Sequence, residues 1–167
     1  MKTKLTLLLI VVLTISSFGG VALTQDMSEV QILYWQASSI LNPYLSGGTK
    51  DIDASAIVLE PLANWAPDGS LNLNLAAEVP TLENGGISED LTSITWNLRD
   101  DIVWSDGSPF TAEDVVFTWE YCTHPEAGCV QADEFVGVVS VEAMGMHSVT
   151  VTFDAPKPNP FRHFVSH

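Results

Sequence analysis

The run Phe110-Thr111-Ala112-Glu113-Asp114-Val115 constrains this chain more than any other, because it spells a helix start in full. Thr111 is placed to be the N-cap, accepting from the Asp114 amide while the Asp114 carboxylate reaches back to the Thr111 amide. Phe110 and Val115 take the two positions of a hydrophobic staple, and Glu113 and Asp114 complement the positive end of the helix dipole. The helix is expected to run to about Tyr121, burying Val115, Trp119 and Cys122 at i, i+4 and i+7. Just before it, Ile94, Trp96 and Leu98 alternate with Thr95, Asn97 and Arg99, the pattern of a half-buried strand. Asp100-Asp101 breaks that strand, Ile102-Val103-Trp104 resumes in extended form, and Ser105-Asp106-Gly107 is a turn. Strand, turn and capped helix in that order require mixed α and β structure.

The flanking sequence extends this layout. Glu29 to Trp35 (EVQILYW) reads as a largely buried strand. Leu41-Asn42-Pro43 and Ser46-Gly47-Gly48-Thr49 are turn-rich, and Ala54 to Leu62 has a helical pattern ended by Pro61. Pro67-Asp68-Gly69-Ser70 is a turn by chemistry, with Gly where a positive φ is expected. Leu75-Ala76-Ala77-Glu78 leads to a polar loop, Glu83 to Asp90. Val136 to Ala143 and Ser148 to Phe153 are two strands around Met144-Gly145-Met146-His147, with Val149, Val151 and Phe153 on one face. The pattern reads as a meander with a helix packed on it, and 167 residues match one domain.

The first two dozen residues read as an address. Met1-Lys2-Thr3-Lys4 is basic, Leu5 to Ile15 is apolar apart from Thr6 and Thr14, and small residues follow, the order of a secretory signal peptide over residues 1–24. The apolar run is shorter than the about 20 residues a membrane-spanning helix needs. Cleavage after Ala22 and cleavage after Thr24 both fit. No Cys stands close behind the apolar run, so there is no lipobox cysteine. The whole chain carries six Lys+Arg against 21 Asp+Glu, a formal charge of −15. Without Lys2 and Lys4 the charge is −17. Such a field repels nucleic acid and anionic membrane surfaces. Export also favours a disulfide between Cys122 and Cys129, seven residues apart with Pro125 and Gly128 bending the chain between. Free thiols, or a metal site including His124, are the alternatives.

No nucleophile elbow, zincin motif, P-loop or dinucleotide fingerprint occurs. Asp100/Asp101 and Glu113/Asp114 are carboxylate pairs, but they are turn and capping residues first. His163 and His167 stand at i, i+4 without a third ligand. Trp96, Trp104 and Trp119 have the spacing of core residues rather than of a ligand platform. The residues therefore point to no catalytic site, no cofactor and no metal.

The stretch Trp96-Asn-Leu-Arg99 … Val103-Trp104-Ser105-Asp106-Gly107-Ser108-Pro109-Phe110-Thr111-Ala112-Glu113-Asp114-Val115-Val116-Phe117-Thr118-Trp119 resembles the signature of the extracellular solute-binding proteins of ABC importers, family 5, the oligopeptide/dipeptide/nickel-binding type. Leu41-Asn42-Pro43, Glu60-Pro61-Leu62, Pro67-Asp68-Gly69, Leu75-Ala76-Ala77-Glu78 and His147 to Phe153 are flanking matches.

The resemblance implies the N-terminal part of a periplasmic-binding-protein type II-like fold, a mixed sheet with packed helices, incomplete here. It implies that residues 25–54 open a first domain and that 55–167 are a second-domain-like region, truncated before the rest of domain I and domain III. It implies a monomeric, non-enzymatic binder of peptide or another small solute, exported to the periplasm or cell exterior and working with ABC permease subunits. Dipeptide, oligopeptide, oligosaccharide and metal complex all remain open as ligands. By resemblance Ser46, Gly47, Gly48 and Thr49 lie at the ligand cleft, where backbone groups can pair with an extended peptide, and Gln131 to Glu134 is a weaker second candidate. Family members run several hundred residues longer, so the chain is expected to be a fragment that binds ligand weakly or not at all alone. An exported remnant and, further off, a secreted hydrolase are the competing readings.

Overall fold

A computed structural model describes residues 31–166. The chain divides into two units after Leu33. Of the first, only residues 31–33 are described, an irregular stretch with Ile32 and Leu33 exposed. The second unit begins equally irregularly, with Tyr34 and Trp35 exposed. The strand expected over Glu29–Trp35 is therefore absent from 31 onward, and Glu29 and Val30 lie outside the described residues. A strand needs a hydrogen-bonded neighbour, and none of the described pairings includes this segment. The proposed signal peptide also lies outside the described residues.

In the second unit, helix α1 (Thr49–Ser55) is followed by two three-stranded sheets. The first has the order β2-β1-β6, from β1 (Ala63–Trp65), β2 (Leu71–Leu73) and β6 (Val165–Ser166). The Pro67–Ser70 turn joins β1 to β2: Ala66 N–H donates to the Ser70 carbonyl at 2.8 Å, and Gly69 takes φ +84°. β6 runs parallel to β1, so the segment after residue 160 returns to the first sheet. The helix expected over Ala54–Leu62 overlaps α1 only at Ala54 and Ser55, and residues 56–58 are turns. The turn-forming Ser46-Gly47-Gly48 opens the helix earlier than apolar spacing suggests.

The second sheet has β3 (Ser93–Asn97), β4 (Val138–Ala143) and β5 (Ser148–Phe153) in the order β3-β5-β4, all antiparallel. It is not a simple meander. Between β3 and β4 the chain passes through helix α2 (Ala112–Thr123) and a 3₁₀ turn (Ala132–Phe135), which packs together with α2, and β5 then enters between β3 and β4. The alternation reads out as expected: Ile94, Trp96, Val149 and Val151 are fully buried, with Leu98, Val141 and Phe153 nearly so. A bulge between Val138 and Ser140 shifts the register of β4. The free edge of β3 is covered by the preceding loop, where Thr95 N–H donates to the Gly86 carbonyl at 2.7 Å. Gly86 is required there, because a Cβ would lie 2.7 Å from Pro80 Cα.

Helix α2 begins as its sequence dictates. Thr111 is the N-cap of a capping box in which the Asp114 carboxylate accepts from the Thr111 amide at 2.7 Å and its hydroxyl at 3.2 Å. Phe110, Ala112 and Val115 enter the core, and Trp119 packs against it half-buried. Phe161 meets Trp65 of the first sheet edge-on at 6.3 Å and Trp96 of the second at 6.0 Å, tying the two sheets together. No helix among the described residues is long and apolar enough to cross a membrane.

Candidate functional site

The segment holding Ser46, Gly47, Gly48 and Thr49 owes its shape to short-range polar contacts. Asn42 starts it, its side-chain oxygen accepting from the Tyr44 amide at 2.9 Å and its carbonyl from the Leu45 amide at 3.2 Å. Ser46 Oγ then accepts from the Gly48 amide at 3.2 Å. Gly48 is the cap residue of α1, and Thr49 is already helical, so the expected four-residue loop is three residues and a helix start.

The centre of this region is a residue outside the expected site, Asp51, which is only 3% exposed. One carboxylate oxygen accepts from the Ser39 amide at 2.6 Å, from Ser38 Oγ at 3.1 Å and from the Ile40 amide at 3.4 Å. The other accepts from Ser46 Oγ at 2.7 Å, and Lys50 Nζ reaches both, at 2.7 and 2.8 Å. Lys50 also bonds Ser39 Oγ at 2.5 Å. The Lys50 ammonium, then the Ser46 hydroxyl and the Ser39 amide, hold the Asp51 carboxyl well below the usual carboxylate range. Asp51 is thus ionised at neutral pH and saturated with donors. It is suited to cross-linking Ser38–Ile40 to Ser46 and α1, and unsuited to exchanging protons with a substrate.

Gly47 and Thr49 are exposed, and Ser46 and Gly48 are half-buried. Neither glycine has a positive φ. A Cβ at Gly47 would meet nothing within 4 Å, and one at Gly48 would make ordinary contact with Ser46 Oγ at 3.5 Å. The described fold does not itself require glycine at 47.

The second candidate segment is bonded to the residues just before the first. Val130 N–H donates to the Tyr44 carbonyl at 2.8 Å, and Gln131 Nε2 to the Pro43 carbonyl at 3.1 Å. Tyr44 is inward enough that burial raises its phenol pKa. Directly before Val130, Cys122 and Cys129 are joined in a disulfide, Cα–Cα 5.0 Å, which ties the end of α2 to the strip touching Tyr44. Glu134, at the far end of the segment, pairs with Arg162. Pro43 and Tyr44, just before the Ser46–Thr49 candidate, are thus bonded to Val130 and Gln131, where the Gln131–Glu134 candidate begins.

The remaining candidates are placed elsewhere. Trp96 is core, Trp119 packs on the core, and Trp104, 40% exposed, meets Phe110 edge-on at 5.9 Å, so the three do not form a platform. Asp101 is bonded to Arg99 at 2.8 Å, and Asp114 is committed to its capping box. His124 Nδ1 accepts from the Glu126 amide at 3.2 Å. His163 is buried in a turn against Phe135 and Phe153 rather than on a helix, and burial lowers its pKa. His167 lies outside the described residues. Among those residues no group of three or more His, Cys, Asp or Glu side chains is arranged to hold a metal ion.

Residues 71–167 match the family model of bacterial extracellular solute-binding proteins, family 5 Middle. The chain is 31% identical over 116 residues to the probable peptide-binding protein YejA of Agrobacterium fabrum, covering 68% of this chain and 17% of YejA. It is 27% identical over 182 residues to the periplasmic oligopeptide-binding protein OppA of Escherichia coli, covering 93% of this chain and 32% of OppA. Among solved structures, Listeria monocytogenes OppA bound to peptide superposes with a TM-score of 0.64 at 23% identity, covering 74% of this chain and 26% of that one. The chain therefore spans less than a third of the length of each of these proteins, and its mixed fold is that of a part of the periplasmic-binding-protein type II architecture. By this match, the chain belongs to the family 5 bacterial extracellular solute-binding proteins.

Proposed function

We propose that this chain supplies part of the substrate-binding component of an ABC importer, which captures peptides or a similar solute outside the cytoplasmic membrane and performs no chemistry on it. The observation that carries this reading is the family match over residues 71–167. The names of the relatives, a peptide-binding YejA and an oligopeptide-binding OppA, favour peptide within that class. In this reading residues 1–24 direct export, residues 25–54 and 55–167 contribute to two domains, and permease subunits receive the loaded binder. The surface made by Ser46–Thr49 and Gln131–Glu134 faces the ligand. Its support is the open space at Gly47 and the rigid frame that Asp51 and the disulfide place behind it. An extended peptide brings its own backbone donors and acceptors to such a surface.

The test is to sequence the locus past the codon for His167 and titrate its product calorimetrically with trialanine, maltotriose and a nickel–histidine complex. Micromolar binding of trialanine alone supports the peptide reading. Binding of either other ligand in its place moves the assignment within the class, and turnover of any of them overturns it. Micromolar trialanine binding by the 167-residue chain alone would overturn the expectation that capture needs more chain.

A further inference from the structure

The hairpin between β4 and β5 carries side chains that neither the fold nor the proposed capture surface uses. Two of the four methionines, Met144 and Met146, flank Gly145 there, and His147 follows. Methionine is ordinarily a filler of apolar gaps in a core. Here the two side chains are 66% and 62% exposed, while the flanking strands bury Val141 and Val149.

The backbone beneath them is fixed. Met144 N–H donates to the Ser148 carbonyl at 2.8 Å, and Ala143 pairs with Val149. The Met146 carbonyl accepts from Ala112, the first residue of α2, at 2.8 Å, and the His147 carbonyl from Leu98 at 2.8 Å. Gly145 takes φ +135°, a conformation open to glycine and little else, with nothing within 4 Å of its would-be Cβ. The turn is thus held from α2 and from the end of β3, with both thioethers left outward. His147 is half-buried, and its Nδ1, itself shielded from solvent, has no hydrogen-bond partner.

We propose that the Met144–His147 turn is a binding site for a soft monovalent metal ion, Cu(I) or its analogue Ag(I), through the two thioethers and the His147 imidazole. Thioether sulfur is an uncharged soft donor that selects Cu(I) over zinc, calcium or magnesium. The chain's two cysteines are locked together in the disulfide, so no thiolate competes. The net charge of −15 raises the local concentration of cations without choosing among them, and the sulfurs make the choice. The site stands apart from the proposed capture surface and does not depend on that reading.

The test uses the full chain with its methionine methyl groups carbon-labelled. Ag(I) is added without reductant, so that the disulfide stays closed. One equivalent should move and saturate the methyl resonances of Met144 and Met146 and leave those of Met1 and Met27 in place, while Zn(II) should move none of them. The double variant Met144→Leu, Met146→Leu keeps the fold, because both side chains are exposed, and should bind Ag(I) at least tenfold more weakly. His147→Gln should weaken binding by a smaller factor. Resonances unmoved at one equivalent overturn the site. So does a shift of the same size with Zn(II), or a double variant that binds as tightly as the parent.

Discussion

Two parts of the second unit bury their residues by opposite means. In the β3-β5-β4 sheet and α2, the buried side chains are apolar and come from alternate positions: Ile94, Trp96 and Leu98; Val149, Val151 and Phe153; Ala112 and Val115 from the helix. In the 38–55 region the buried residues are Asp51 and Ser55, while Leu41, Leu45 and Ile52 point outward at 40–48% exposure. The first region is held by apolar area removed from water, which is non-directional and spread over many side chains. The second is held by directional bonds converging on one carboxylate, so most of its order passes through a single residue. Losing one core side chain weakens a consensus. Losing Asp51 removes the carboxylate to which both Ser38–Ile40 and Ser46 are bonded.

The largest effect is expected in the sheet. Trp96 is fully buried, packs edge-on to Phe161 and stands opposite Val149 in the β3–β5 register. Trp96→Ala should cost about 3–5 kcal/mol, a large part of the roughly 5–15 kcal/mol available to a domain. Chemical denaturation checks this. Trp96→Phe should cost less, because a ring remains and the buried Nε1–H, which lacks a partner, is removed. Equal costs would mean that a ring set edge-on to Phe161 is not what stabilises this position.

Next comes Asp51. Its folded pKa lies below its unfolded value of about 4, so its contribution is fully present above that pH and is lost as the pH falls further toward the folded value. Asp51→Asn should therefore lower the melting temperature at pH 7 and flatten its decline below about pH 4 relative to the parent. Hydrogen exchange at the Ser39 amide, which donates to this carboxylate, should accelerate while exchange along β5 stays unchanged. Exchange rising equally in both places would erase the contrast between the two regions.

That contrast also explains what the sequence disclosed. Period-two alternation over 94–98 and 149–153 and the Thr111/Asp114 box are local patterns with one structural solution, and the strands and helix follow from them. The strand order is not local: β5 inserts between β3 and β4 through pairings more than fifty residues apart, so the meander was the wrong topology for correctly located strands. Asp51 was invisible for a related reason. Its partners are two serines, two backbone amides and an adjacent lysine, residues that look like ordinary surface until the chain folds back. Ser38, Ser39 and Ser46 upstream of a Lys-Asp pair were the available signal, but no spacing rule singles them out. Over residues 31–35 the strand reading of Glu29–Trp35 failed for the converse reason. Its composition is that of a strand, yet alternation specifies a face and supplies no neighbouring strand.

The smallest effect belongs to Gly47, and it separates folding from capture. The residue is exposed, its φ is not positive, and a methyl group there meets nothing within 4 Å. Gly47→Ala should leave stability unchanged or raise it by less than about 1 kcal/mol, since alanine narrows the unfolded ensemble without straining the native one. A fall in melting temperature would show that the loop's conformation, rather than an approaching ligand, demands glycine. If stability holds and the titrated product of the whole locus nonetheless loses trialanine affinity, the methyl group is obstructing something that comes from outside this chain. The polar region would then be a frame built around Asp51 to present a backbone that has to stay bare.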